Sequence, residues 1–155
     1  SRITGASGVP ATTTTTTVLD ALHAVEAKTL AVATPYLAEI NVIEKQFLEE
    51  SGFAVSAIAG LGCGTDREIG QLTPEDAVAL VAQVDSPEAD AIFISCTNFH
   101  CLSAVAEIER THGKPVVTSN LAGAWATLRY LGIDDELPGA GHLFTLPARE
   151  RMLAT

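Results

Sequence analysis

An α/β fold is what this 155-residue sequence predicts: a three-layer sandwich around a parallel, doubly wound, flavodoxin-like sheet of about four strands. Strand-like and helix-like segments alternate along the chain. The strand-like segments are short, near-continuous apolar runs rather than period-two alternations, the mark of strands covered on both faces. Glycine or proline stands at most of the junctions, where such elements stop.

The elements follow in order. Residues 1–17 are rich in Gly, Ser and Thr and end in six threonines, Thr12–Thr17. Apolar residues then recur at Val18, Leu19, Ala21, Leu22 and Val25, a helical spacing that puts the threonines at a helix start, where hydroxyls cap free amides or meet an anion. Thr29–Thr34 reads as a buried strand ending at Pro35. Leu37–Ser51 carries a helical stripe of Ile40, Ile43, Phe47 and Leu48, closed by Gly52. Phe53–Ile58 is the second strand, followed by the glycine-rich loop Gly60–Gly70. Thr73-Pro74-Glu75-Asp76 starts a helix, with a cap, a first-turn proline and acids at the positive dipole end, running to about Val84. Ala89–Ser95 is the most apolar strand, Thr97–His112 a helix stopped by Gly113, Pro115–Ser119 the fourth strand, and Leu121–Leu131 the last helix. Beyond Asp134 the chain loosens into a Pro/Gly stretch, a short apolar patch at Leu143–Leu146 and a polar tail.

Lys and Arg number 9 against 19 Asp and Glu, a net charge of −10. Clustered positive charge of the kind that binds nucleic acid is not visible, so no nucleic-acid partner is expected. Hydrophobic residues make up 47% and charged residues 18%, which excludes a disordered chain. No apolar run reaches the roughly 20 residues of a membrane span, and no basic-then-apolar leader opens the chain, so no membrane association is expected. Three cysteines without metal-ligand spacing read as cytoplasmic thiols rather than a disulfide framework. The chain begins at Ser1 without Met, which suggests a piece of a longer protein.

In an open parallel sheet, ligands bind at the carboxyl ends of the strands. The residues expected on that rim are Thr34, Pro35, Tyr36 and Asn41; then Gly62–Asp66; then Ser95, Cys96, Thr97 and Asn98; then Thr118, Ser119 and Asn120. Small polar groups and helix-opening amides suit a small anion. A phosphate-binding loop is missing, so no nucleotide cofactor is expected. Cys96 is the sharpest candidate. At the junction of a buried strand and an expected helix start it would feel the helix dipole, which favours the thiolate; the competing reading is a small buried apolar residue. Cys63 falls in the rim loop, Cys101 within the following helix, and His100 would lie one helical turn from Cys96. Tyr36 would either donate its phenol to a carboxylate or cap the core.

These residues resemble a known family. The Thr-rich helix start, ATPY (Ala33–Tyr36), DREIG (Asp66–Gly70), ISCTN (Ile94–Asn98), GKPVVTSN (Gly113–Asn120) and PGAGHLF (Pro138–Phe144) occur in the order found in the second lobe of the aspartate/glutamate racemase superfamily. The branch they resemble holds maleate cis-trans isomerases, arylmalonate decarboxylases and ectoine-utilisation proteins.

The resemblance implies cofactor-independent chemistry on small carboxylic acids in a cleft between two pseudo-symmetric lobes, each offering a cysteine in many members. It implies that Cys96 is the second-lobe acid/base cysteine, that Tyr36 binds a substrate carboxylate, and that Thr97 and Asn98 lie where oxyanion-binding amides are found. Asp66 falls where maleate isomerases carry asparagine. Thr34 joins them as a rim candidate. Residues 1–137 would be the second, catalytic lobe, and 138–155 a tail packed on a first lobe that this sequence lacks, leaving one apolar flank exposed. The leading expectation is a maleate isomerase-like enzyme, with a malonate-type decarboxylase or an amino-acid racemase as alternatives and a non-catalytic anion-binding module as a further one. Homo-oligomers are expected, since two-lobed relatives commonly dimerise.

Overall fold

The computed structural model describes residues 2–147. In chain order its elements are α1 (Arg2–Ser7), α2 (Thr14–Ala24), β1 (Thr29–Thr34), α3 (Ala38–Glu50), β2 (Ala54–Gly60), α4 (Asp66–Ile69), α5 (Pro74–Val84), β3 (Ala91–Ile94), a 3-10 turn (Leu102–Ala104), α6 (Val105–His112), β4 (Val116–Thr118), α7 (Ser119–Tyr130) and a second 3-10 turn (His142–Thr145). The strands form one parallel sheet in the order β2-β1-β3-β4. That is the expected doubly wound α/β architecture. The chain steps from β1 outward to β2 and then back across to β3, so the switch point lies between β1 and β3, where the crevice for a ligand opens. Ala33 pairs with Ile94 there, which sets Thr34 and Ser95 side by side at the rim.

The sheet's centre is fully apolar: Leu30–Ala33, Ala91–Ile94, Val116 and Val117 are buried. α5 lays Ala77, Leu80, Val81 and Val84 on the sheet, one face of a 3.6-residue period. Its start has the expected form, a reciprocal capping box between Thr73 and Asp76 with Pro74 in the first turn.

Two segments differ from expectation. The helix read from Thr97 starts only at Val105, after the 3-10 turn. Side chains capture the intervening backbone instead: Asn120 Nδ2 donates to the Thr97 carbonyl at 3.0 Å, Asn98 reaches across to the α4 turn, and Phe99 and Cys101 are drawn into the core. Local competition of this kind displaces helix. The tail differs too. Its described part, 138–147, packs on this lobe rather than away from it: Leu143 and Phe144 are buried, and the buried Arg129 of α7 donates to the carbonyls of Ile133, Phe144 and Leu146 at 2.7–2.9 Å. Trp125 Nε1 adds a bond to the Leu146 carbonyl at 3.0 Å. The rest of the tail lies outside the described residues.

α3 presents an apolar flank to solvent. Only Asn41 and Leu48 of this helix are buried, while Ile40, Ile43 and Phe47 are 42%, 64% and 38% exposed. An apolar stripe that faces outward is the kind of surface that another lobe or subunit covers.

Candidate active site

A cavity of about 680 Å³ opens at the β1/β3 switch point. Five of the six sequence candidates line it: Tyr36, Asp66, Cys96, Thr97 and Asn98 fall on its wall together, with Thr34 the one left out.

Cys96 leaves the end of β3 with φ 91°. Few residues other than glycine adopt such a backbone, and holding it costs on the order of 1–3 kcal/mol. The surroundings hold it in place. Its own N–H donates to Ser119 Oγ at 3.1 Å, and two residues on the Asn98 N–H donates to its sulfur at 3.4 Å. The expected dipole of a helix beginning at Thr97 is not what acts here, because that helix is displaced to Val105. Two other helix starts border the cavity instead: Thr14 and Thr15 of α2 and Ser119 of α7. In α2 the Thr13 side chain caps the Thr16 amide, which leaves the Thr14 and Thr15 amides without an intrahelical acceptor.

Tyr36 is half-buried over the thiol. Burial, and then the neighbouring Cys96, push its phenol well above the ordinary tyrosine range, so it stays a neutral O–H donor. Its position comes from below. Thr34 is buried, donates to Asn41 Oδ1 at 2.6 Å and accepts the Tyr36 N–H at 3.1 Å; its hydroxyl is consumed in shaping the turn. Gly60 closes the same turn, since a Cβ there would collide with the Tyr36 carbonyl and come within 2.6 Å of Asn41 Nδ2.

Asn98 spends its side chain on structure, donating from Nδ2 to the Asp66 carbonyl at 2.7 Å. That bond ties the loop after β3 to α4, whose start is fixed by a capping box between Thr65 and Glu68. Asp66 and Thr97 are exposed on the cavity rim.

Sequence reasoning did not single out Glu44. It lines the cavity with Ser95, Tyr36 and Cys96, its Oε2 is buried without a hydrogen-bond partner, and burial pushes its carboxyl above the usual range, only partly offset by Ser95. The signal was in the spacing: Asn41, Glu44 and Leu48 follow the i, i+3, i+7 pattern of a sheet-facing helix stripe, beside the more conspicuous apolar residues that face outward. Among the described residues, the carboxyl side chains on the wall are Glu44 and Asp66, while Val18, Phe47, Leu48 and Phe93 give it an apolar side.

The remaining thiols stand apart. Cys101 is buried and its thiol is pushed up to about 11 by that burial. Desolvation, and then Glu68 and Asp76, raise Cys63. His100 sits in the loop, lining a different cavity together with Cys101 and Leu137–Ala140, so the expected helical pairing with Cys96 is not made. Among the described residues, no group of three or more His, Cys, Asp or Glu is placed to hold a metal ion, and no helix is long and apolar enough to cross a membrane.

The chain has relatives among known proteins. The family model described as arylmalonate decarboxylase matches residues 1–144. The arylmalonate decarboxylase of Bordetella bronchiseptica is 33% identical over 142 residues, 90% of this chain and 59% of that protein. The maleate isomerase of Pseudomonas putida is 31% identical over 137 residues, 88% of this chain and 55% of that protein. A solved structure of the Nocardia farcinica maleate cis-trans isomerase, a mutant with a covalently bound succinylcysteine intermediate, superposes with a TM-score of 0.82 at 29% identity, covering 85% of this chain and 54% of that one. The chain thus spans little more than half the length of the relatives it matches.

Proposed function

We infer function from membership: this chain belongs to the arylmalonate decarboxylase family, and we propose that it forms one lobe of a cofactor-independent cis-trans isomerase acting on a small dicarboxylic acid. The observation that carries the reading is Cys96, held at φ 91° at the switch point with the Asn98 amide on its sulfur. A backbone held in that region at a cavity wall is a mark of function rather than packing. Tyr36, kept neutral, donates to a substrate carboxylate, and the amides at the start of α2 face the same space. The thiol of Cys96 gives a proton to the carbon beside a carboxylate once a nucleophile has added across the double bond; after rotation about the resulting single bond the thiolate takes the proton back as the nucleophile departs.

A second reading is favoured by the apolar wall of Val18, Phe47, Leu48 and Phe93. A malonate carrying an aromatic group would lay that group there, and the same thiol would protonate the enediolate left as CO2 leaves. Incubating the protein with maleate and with phenylmalonate separates the two. Fumarate formation supports isomerisation, and loss of CO2 from phenylmalonate alone supports decarboxylation. No turnover of either, with no rate difference for Cys96→Ala, contradicts both and leaves an anion-binding module. The exposed flank of α3 fits association with another lobe or copy, and the free thiols fit a cytoplasmic setting.

A further inference from the structure

Glu44 plays no part in the chemistry above, yet this half-buried carboxyl lines the same cavity as the groups that perform it. Its Oε2 is shut off from solvent with no hydrogen-bond partner, and its only favourable neighbour is Ser95, which also interacts with the Tyr36 phenol. Among the described residues, no lysine or arginine lines the cavity to neutralise it. A desolvated carboxylate without a cation beside it is costly, which favours the protonated form of Glu44. The other titratable groups facing it are Tyr36 from the turn after β1, Cys96 from the end of β3 and Asp66 from the start of α4, while α2 brings Thr14, Thr15 and Val18. On α3 itself, Lys45 is engaged with Glu49 at 3.8 Å.

We propose that Glu44 is a positioning and specificity-determining residue whose uncharged carboxyl, braced on Ser95 beside Tyr36 and Cys96, lets the cavity accept an anionic ligand. When Glu44 loses its proton, the cavity gains a negative charge next to the carboxylate that Tyr36 binds, and the ligand is repelled. The release needs no movement of the backbone, and binding and proton uptake are reciprocal: a dianion that prefers the protonated form must also hold the proton on more tightly. The inference rests on the carboxylate-binding reading above.

The test uses succinate, a saturated dicarboxylate that the thiol cannot attack, binding to the full chain in a Cys96→Ser background so that the thiol does not titrate. Between about pH 6.5 and about pH 8.5 succinate is already a dianion. With Glu44 present affinity should fall as pH rises, and in E44Q, which keeps the shape and remains neutral, it should stay flat. Equal pH profiles with and without Glu44 overturn the proposal, and Cys96-dependent maleate turnover in the protein that keeps the thiol would show that the carboxylate reading survives its loss. No succinate binding at any pH, together with no Cys96-dependent turnover of maleate or phenylmalonate, overturns both. Should E44Q not fold, a carbon-13 titration of the Glu44 carboxyl decides: succinate must raise its midpoint, and an unmoved midpoint overturns the proposal.

Discussion

The amide of Asn98 donates to the sulfur of Cys96 at 3.4 Å while the same residue's side chain holds the Asp66 carbonyl at 2.7 Å. One residue therefore both contacts the Cys96 sulfur and ties down the α4 turn. Asn98→Ala keeps the first contact, which is backbone, and loses the second. Alkylation of Cys96 should stay within about threefold of wild type, while turnover falls roughly tenfold as α4 and Asp66 loosen. A large drop in thiol reactivity would show that the side chain, not the amide, supports the sulfur.

The positive φ of Cys96 makes a prediction about stability that runs against intuition. Cys96→Gly relieves a backbone that glycine adopts freely, so it should melt above Cys96→Ala, by about 1 kcal/mol or more, while both lack the thiol. Calorimetry on the pair checks this, and a glycine variant that melts below the alanine one contradicts the strain.

Gly60 governs Tyr36. A methyl group there meets the Tyr36 carbonyl and the Asn41 amide. Gly60→Ala should cost about 1–3 kcal/mol in stability and lower turnover roughly tenfold or more as the phenol shifts. Unaltered kinetics in a folded variant would mean that the turn does not position Tyr36.

Arg129 holds residues 133–146 against α7. Arg129→Met removes the partner of several buried carbonyls at once, and a loss of about 3 kcal/mol or more in urea denaturation is expected. A cost under about 1 kcal/mol would show that Leu143 and Phe144 hold the segment by packing alone.

At the opposite end of the sheet, Asp85 joins Lys114 and His112 at 2.5 and 2.7 Å. Partial burial works against its ionised form, but the Lys114 and His112 contacts outweigh it and leave Asp85 below the usual carboxylate range. A lowered folded-state value stabilises the protein above the ordinary aspartate range, and that contribution is lost as pH falls through the folded-state value. Lys114→Met should therefore cost about 1 kcal/mol at neutral pH and move acid unfolding to higher pH. Identical acid-unfolding midpoints would contradict the role of the pair.

Much of this architecture was legible because it rests on short-range signals. The runs Thr29–Thr34 and Ala91–Ile94 contain too little polarity for anything but central strands, and Thr73-Pro74 marks the start of α5 to the residue. Cys96, Tyr36, Asp66, Thr97 and Asn98 were reachable because strand ends in a parallel sheet converge. What escaped depends on long-range contacts. The loop 97–101 has helical spacing, and only Asn120 and the α4 turn, distant in sequence, draw it out of helix. Glu44 was hidden because its place in the stripe with Asn41 and Leu48 is less conspicuous than the outward-facing apolar residues Ile40, Ile43 and Phe47. Thr34 was read as a ligand-facing hydroxyl, whereas the turn it caps consumes it.

The central claim is that Cys96 exchanges a proton with a bound carboxylic acid. It is tested most directly by comparing maleate-to-fumarate conversion in the wild-type protein and in Cys96→Ala, followed by proton NMR, with succinate binding measured on both. The account predicts that conversion falls by roughly a thousandfold or more while succinate affinity changes by less than about fivefold. Conversion retained within about threefold in Cys96→Ala would contradict it.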